Sequence, residues 1–596
     1  MNRHPNRLRL LVLALFLFLQ NIGAQNLTKI AFLADIHFQD LYGNFSDNEY
    51  RGVINPKTGK PTLMRTMQSQ LNSTRIFNEN YFALFAALDD IADQGIKIVA
   101  LPGDFTDDGQ AYNLRGLKKI LDQYEAKYQM SFYITTGNHD PVRPFRREAG
   151  KNDFLGENGS PVGIFSHPNG KKESIITKDI AESGYREILD WMKNFGFSPS
   201  EKDKFWQTPF SKKSYSEYHY QDALQDAEIQ NRTYESSSGF QVPDLSYISE
   251  PVEGIWLMAI DGNTYIPEKK TGSPTDPNTY GGANDGYNNA IKYKSHLLSW
   301  VKRMTQEAEK QNKILIAFSH YPMVDFNNGA TPELAELLGK DKWQLSRVPN
   351  ENVTNAFAEA GIKIHFAGHM HINDSETKSI SNGKMIRNFQ VPSLAAYLPG
   401  YKVITIESGG NIRVETKTIA NVKRYKELFP LYEQEYQKLS KTTPEKIWNK
   451  KILKTKNYKE FMLFHLTELV RLRMLPSEWP KDFVENTKTI NGLDILNKTR
   501  TPNMDENLRN QRLRSVDFKK WSFTDVLLDL YKFQSAGGLA TQDIPTKRLQ
   551  QYAFLEKQLA CFKPTDQLGQ QLKLFFSILQ KLSNGEDVRE VQFQYQ

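Results

Sequence analysis

At 596 residues the chain exceeds what one hydrophobic core holds, so a large domain and at least one further unit are expected. Hydrophobic residues make up 39% and charged residues 24%, which excludes wholesale disorder. A net charge of +7 over that length is too dilute to indicate a polyanion ligand, and no nucleic-acid partner is expected.

The start of the chain carries Arg3, Arg7 and Arg9 and then an unbroken apolar run over residues 10–19. That run is about half of the ~20 residues a spanning helix needs, and small residues follow it up to Ala24. Residues 1–24 therefore read as a signal peptide, the mature chain as secreted or periplasmic, with no stable membrane span. The only cysteine, Cys561, permits no intramolecular disulfide and places no thiolate among the candidate ligands below.

From residue 30 onward, short β-branched and aromatic runs alternate with helical patterns, which is the mark of a layered α/β fold. Strands are expected over residues 30–34, 96–101, 132–135, 255–260, 314–318 and 362–367. Helices are expected over 81–94, where Phe82, Phe85, Leu88 and Ile91 share a face ahead of Gly95, and over 111–128 and 292–310. Irregular stretches run over 44–75, over 143–252 with some helix inside it, and over 262–289. After a strand pair at 403–407 and 412–416 the pattern becomes helical, as in 457–473, where Phe461, Leu463, Leu466, Leu469 and Val470 cluster on one side. A boundary near Ala420 divides a domain over 25–420 from an all-helical region over 421–596.

Nearly every expected strand before residue 372 ends in a potential ligand. In order these are Asp35 and His37, Gly103-Asp104, Gly137-Asn138-His139-Asp140, Ser319-His320, and Gly368-His369-Met370-His371. In open α/β sheets ligands bind beyond the carboxyl ends of the strands, so separated segments converge there. Histidine nitrogen with carboxylate or amide oxygen suits borderline divalent ions such as Zn, Mn, Fe or Ni. Two cations ~3.5–4 Å apart need a ligand that touches both, and Asp104 is the natural bridge.

The ordered set Asp-x-His, Gly-Asp, Gly-Asn-His-Asp, His and Gly-His-x-His resembles the calcineurin-like metallophosphoesterase superfamily over residues 29 to about 418. The run Gly103-Asp104-Phe105-Thr106-Asp107-Asp108-Gly109 and the Gly368-His369-Met370-His371 ending are most similar to secreted bacterial members of the class III cyclic nucleotide phosphodiesterase type. The resemblance implies a two-sheet α/β sandwich flanked by helices, followed here by the all-α carboxyl-terminal region. It implies one metal ion held by Asp35, His37 and His371, a second by Asn138, His320 and His369, and Asp104 between them.

It further implies hydrolysis of a small phosphate ester, with water activated by the two divalent ions as nucleophile and His139 as general acid toward the leaving group. Arg143, four residues beyond His139, is a candidate contact to substrate phosphate. The scarcity of arginines near the metal motifs favours a phosphodiester, such as a cyclic nucleotide, over a phosphomonoester or nucleotide substrate. The alternative of another class is a non-catalytic surface binding protein, in which the helical part binds a partner and the phosphoesterase domain is a relic.

Overall fold

A computed structural model describes residues 27–595 apart from 169, 171–172, 270 and 587, so the expected signal peptide lies outside the described residues. Two mixed sheets form the centre. The first runs in the order Glu590–Gln594, Asn411–Thr418, Gly400–Ile406, Thr28–Phe32, Ile98–Pro102, Ser131–Thr135. The second runs Asp374–Ser379, Met385–Gln390, Ile364–Ala367, Ile314–Ser319, Ile255–Ile260, Tyr247–Val252, Trp206–Gln207.

Within each sheet the apolar strands expected from the sequence pair in parallel. Thr28–Phe32 lies beside Ile98–Pro102 and that strand beside Ser131–Thr135, while Ile255–Ile260, Ile314–Ser319 and Ile364–Ala367 are consecutive neighbours. Parallel strands are covered on both faces, which is why they read as continuous apolar runs. The sheets meet face to face: Phe32 stacks on Phe366 with ring centroids 3.7 Å apart and lies 6.1 Å from Phe318. The outer face of the second sheet is covered by helices Ser295–Lys310 and Glu351–Glu359, whose Leu297, Trp300, Val353 and Phe357 pack with Trp256, Met258 and Leu315. On the first sheet, helix Asn80–Asp93 ends at Gln94, and Gly95 takes the left-handed conformation (φ 70°) that lets the chain turn into Ile98–Pro102.

The stretch over 143–252 holds the expected helix and also strands. It carries a small sheet of Gly150–Leu155, Pro161–Phe165 and Ile175–Ile176 and the helix Tyr185–Met192. Beyond residue 420 the chain is helical, with long helices Phe429–Thr442, Tyr458–Leu469, Phe523–Ala536, Thr546–Cys561 and Gln567–Ser583. It then differs from an all-helical reading: Glu590–Gln594 returns as a strand on the edge of the first sheet, antiparallel to Asn411–Thr418. Its sequence alternates polar and apolar residues, with Val591 and Phe593 partly buried, which is the period of a half-buried strand.

The helical region shares one apolar cluster with the sheets, from Ile30 through Leu428, Phe461 and Leu530 to Val588. Polar groups cross the same contact. Tyr432 Oη donates to Glu79 Oε1 at 2.8 Å, and Gln70 Nε2 donates to Glu79 Oε2 at 3.0 Å. Burial raises the Glu79 carboxyl from the usual 4.5 to about 7. A raised carboxyl lends its stability in the protonated form, so the contribution is whole below pH 4.5 and is lost as pH rises through about 7. Melting temperature is therefore expected to fall over that window, and Glu79→Gln, which cannot ionise, should flatten the fall. A slope in the variant equal to the parent's would show that Glu79 does not set it.

Candidate metal centre and the cavity above it

The segments that end the parallel strands meet in one place, and their backbones are unusual there. Asp35 (φ 48°), His37 (φ 45°), Asp104 (φ 47°), His369 (φ 73°) and His371 (φ 55°) all adopt the left-handed conformation without being glycine. Such residues cost of order 1–3 kcal/mol each and persist where surrounding structure over-determines them, typically at functional sites. Two glycines allow the convergence. A side chain on Gly137 would put its Cβ 2.2 Å from Asp104 Oδ1, and one on Gly368 would put its Cβ 2.5 Å from Asp35 Oδ2.

On one side of Asp104, His37 Nε2 and His371 Nε2 stand 2.9 Å apart, with His371 Nε2 3.7 Å from Asp35 Oδ1. On the other, His320 Nε2 lies 2.9 Å from Asn138 Oδ1, 3.0 Å from His369 Nδ1 and 3.3 Å from Asp104 Oδ2. His320 Nδ1 donates to Pro102 O at 3.1 Å, which leaves Nε2 as a lone pair facing those atoms. Asp35 accepts the His369 N–H at 2.9 Å and 3.0 Å on its two oxygens, and Asp104 Oδ1 accepts the His139 N–H at 2.8 Å. Asp35, His37 and His371 offer ligand atoms all within 4.8 Å of one another, as do Asp35, Asp104 and His320.

The electrostatics calls for positive charge. Burial raises the Asp35 carboxyl to about 8 although His320 opposes it. Burial, and after it the Arg75 charge, holds His37 and His371 below the usual histidine value, and burial with Arg347 does the same to His369. Neutral imidazole is the ligand form. Burial opposes charge on Asp104 and His320, yet their mutual attraction wins: Asp104 falls and His320 rises from their usual values. Nitrogen lone pairs, a carboxylate and an amide oxygen crowded at these distances fit divalent cations of the borderline class.

The loop after Asp104 holds His139. Its Nδ1–H donates to Asp108, which also takes Lys151 from the 143–252 insertion. Arg75 pairs with Asp107 at 2.9 Å and approaches Asp108 at 3.9 Å. Asp140 accepts the Thr106 N–H at 2.9 Å and also its hydroxyl, pinning the loop from the Asn138 side. Farther back, Asn263 is fully buried and donates to Gly137 O at 2.9 Å, so it supports the Asn138 turn and does not line the cavity. His365 is packed behind the site between Ser319 and Asn388.

A cavity of about 310 Å³ opens over Asp104, Asn138, His139, His369 and His371. Arg143 is not among its lining residues and donates to Val142 O at 2.9 Å. The guanidinium groups at the cavity are Arg75, Arg347 and Arg473, and its far wall comes from the helical region through His465, Leu466, Leu469 and Tyr531. No motif marks these residues in the sequence, because they lie on three segments joined only by the fold. Asp108 was legible in principle, as the acid four residues after Asp104.

A buried array of imidazoles and acids at the strand ends of a two-sheet α/β sandwich offers a ligand set that suits divalent cations. Residues 28–232 match the family model of calcineurin-like phosphoesterases, a segment that includes Asp35, His37, Asp104, Asn138 and His139. Over those residues the chain is similar to the calcineurin-like phosphoesterases. No curated protein matches it. Among solved structures, it is similar to a dimetal phosphatase from Danio rerio (10% identity, 66% of this chain and 96% of that one, TM-score 0.31). It is also similar to a purple acid phosphatase from yellow lupin seeds (12% identity, 66% and 52%, TM-score 0.29) and to the anchor protein of the inner membrane complex of Plasmodium (11% identity, 66% and 84%, TM-score 0.25). Among the described residues no helix is long and apolar enough to cross a membrane.

Proposed function

We propose that the chain hydrolyses small phosphate esters in this cavity, with one divalent cation held by Asp35, His37 and His371, a second by Asn138, His320 and His369, and Asp104 shared. The observation that carries this reading is the crowding of nitrogen and oxygen ligand atoms at 2.9–3.3 Å on both sides of Asp104. Bound there, the cations supply an activated water and neutralise charge on the phosphoryl oxygens. Export rests on the basic and then apolar start of the sequence and belongs to the same proposal.

His139 is the group left to handle the leaving oxygen. With Nδ1–H spent on Asp108, its Nε2 is the atom turned toward Asp104 Oδ2, 4.0 Å away, at the cavity floor. A proton on Nε2 is placed for transfer to the departing alkoxide, and ionised Asp108 stabilises the imidazolium that gives it up. The pKa of Asp108 lies well below the usual value: burial opposes this, and Lys151 and His139 outweigh it.

The expected phosphodiester preference rested on a lack of nearby arginines, and the fold removes that premise by bringing Arg75, Arg347 and Arg473 to the cavity. Arg75 is neutralised by Asp107, whereas Arg347 and Arg473 form no ion pair with a described residue, Arg347 feeling Asp104 and Asp285 only at longer range. The substrate of this reading therefore carries more negative charge than a cyclic nucleotide. A diester remains the second reading because Met370, Ile372, Leu466 and Leu469 line part of the wall and suit a second ester arm.

The test is a series of aryl phosphate mono- and diesters of graded leaving-group pKa, assayed with the manganese-reconstituted full chain. His139→Ala should slow esters of poor leaving groups by ~10²-fold or more, with metal content retained and esters of good leaving groups much less affected. No hydrolysis of any ester by the parent overturns the function, and an equal loss across the series overturns the acid role.

A further inference from the structure

Cations near the centre fall into two groups. Arg65, Arg75 and Lys151 are each bound to Asp107, Asp108 or Asp153, so their charge is spent within the protein. Arg347 makes no side-chain hydrogen bond or ion pair with a described residue, and Arg473 donates only to the backbone oxygen of Asn72, at 3.2 Å. Both line the cavity over the metal centre.

Each lies on a locally distorted piece of backbone. Arg347 ends the short turn Leu345–Arg347, entered through Trp343 (φ 54°) and Gln344 (φ 55°). A left-handed tryptophan is a genuine outlier, and strain of that kind gathers where it is used. The helical region enforces it: Trp343 packs on Tyr531 with centroids 4.9 Å apart, and the Trp343 backbone N–H donates to Glu478 at 2.7 Å. Arg473 lies in Val470–Met474, where helix Tyr458–Leu469 widens into a π turn, a distortion that concentrates at functional sites. Burial lowers the pKa of Arg347, with Tyr321, Asp104 and Asp285 drawing it up and Arg473 pushing it down, so the metal centre and the second guanidinium both lie within its electrostatic reach.

We propose that Arg347 and Arg473 form an anion subsite beside the metal centre, completed by the helical region, which selects phosphate esters carrying a second phosphoryl group close to the scissile one. This rests on the hydrolase reading for the first phosphoryl group. Guanidinium groups match phosphate oxygens in geometry and charge, and two that form no ion pair, in the cavity proposed to take one phosphoryl group, define where the next one sits. The substrate class is a phosphoanhydride or a closely spaced bisphosphate.

The test uses two probes that hydrolysis does not cleave, methylenediphosphonate with two anionic groups and methylphosphonate with one, titrated calorimetrically into the manganese-loaded full chain. The parent should favour the bisphosphonate, and Arg347→Gln and Arg473→Gln should each cut its affinity by about tenfold or more while methylphosphonate affinity and metal content hold. The inference is overturned if the parent shows no preference, if either variant keeps it, or if a variant weakens both probes equally. If the preference behaves as expected while no ester is hydrolysed, the hydrolase reading falls and the subsite stands.

Discussion

Asp104→Asn is expected to abolish turnover, by about 10³-fold or more in kcat, and to leave the chain with one equivalent of metal or less where the parent holds two. The substitution changes charge and little else. Asparagine tolerates the left-handed backbone that Asp104 adopts better than most residues, so the strand end keeps its course. One amide oxygen still accepts the His139 N–H, now made at 2.8 Å to Oδ1. What disappears is Oδ2 as an anionic donor, which lies 3.3 Å from His320 Nε2 and 3.8 Å from His37 Nε2 and so faces both halves of the centre. An amide N–H₂ in its place points a donor at a site built to attract cations. Metal analysis beside kinetics decides the matter, and near-parental rates with two equivalents bound would refute the shared role of Asp104.

The meeting of the candidate ligands was legible because its logic is local. A buried parallel strand is a short apolar run, its end is marked by a glycine or a polar cluster, and the ligand sits in that cluster, as in Leu101-Pro102-Gly103-Asp104. Other features are set by distance. Asp374–Ser379 is an edge strand whose sequence, Asp-Ser-Glu-Thr-Lys-Ser, has no apolar alternation because only its first two residues are buried. Arg347 and Arg473 lie 126 residues apart in the numbering and line one cavity where Trp343 packs on Tyr531. Arg143 illustrates the converse: nearness to His139 in sequence does not carry its guanidinium into the cavity, since the side chain turns back to Val142 O.

The second large effect concerns the carboxyl-terminal region, for which the composition change near residue 420 indicates a separate helical unit. A chain ending at residue 420 is expected to show no cooperative thermal transition and to bind no metal. Such an ending strips Glu590–Gln594 from Asn411–Thr418 and exposes that edge, a template for aggregation. It also uncovers apolar residues now packed against Leu428, Leu431, Tyr458 and Phe461. The polar losses are equally direct. The Met67 and Gln68 N–H groups lose Glu435 at 2.7 Å and 3.0 Å, Leu394 O loses the Tyr458 hydroxyl at 2.9 Å, and the Asn373 N–H loses Ser535 O at 2.8 Å. Each group left buried without a partner costs about 1–3 kcal/mol, and a whole domain is stable by only about 5–15 kcal/mol. A chain cut near residue 420 after folding, with both pieces still associated, keeps these contacts and should keep its metal and its cavity wall. A purified 25–420 chain that unfolds cooperatively and holds two equivalents of metal would show that the helical region only caps a self-sufficient domain.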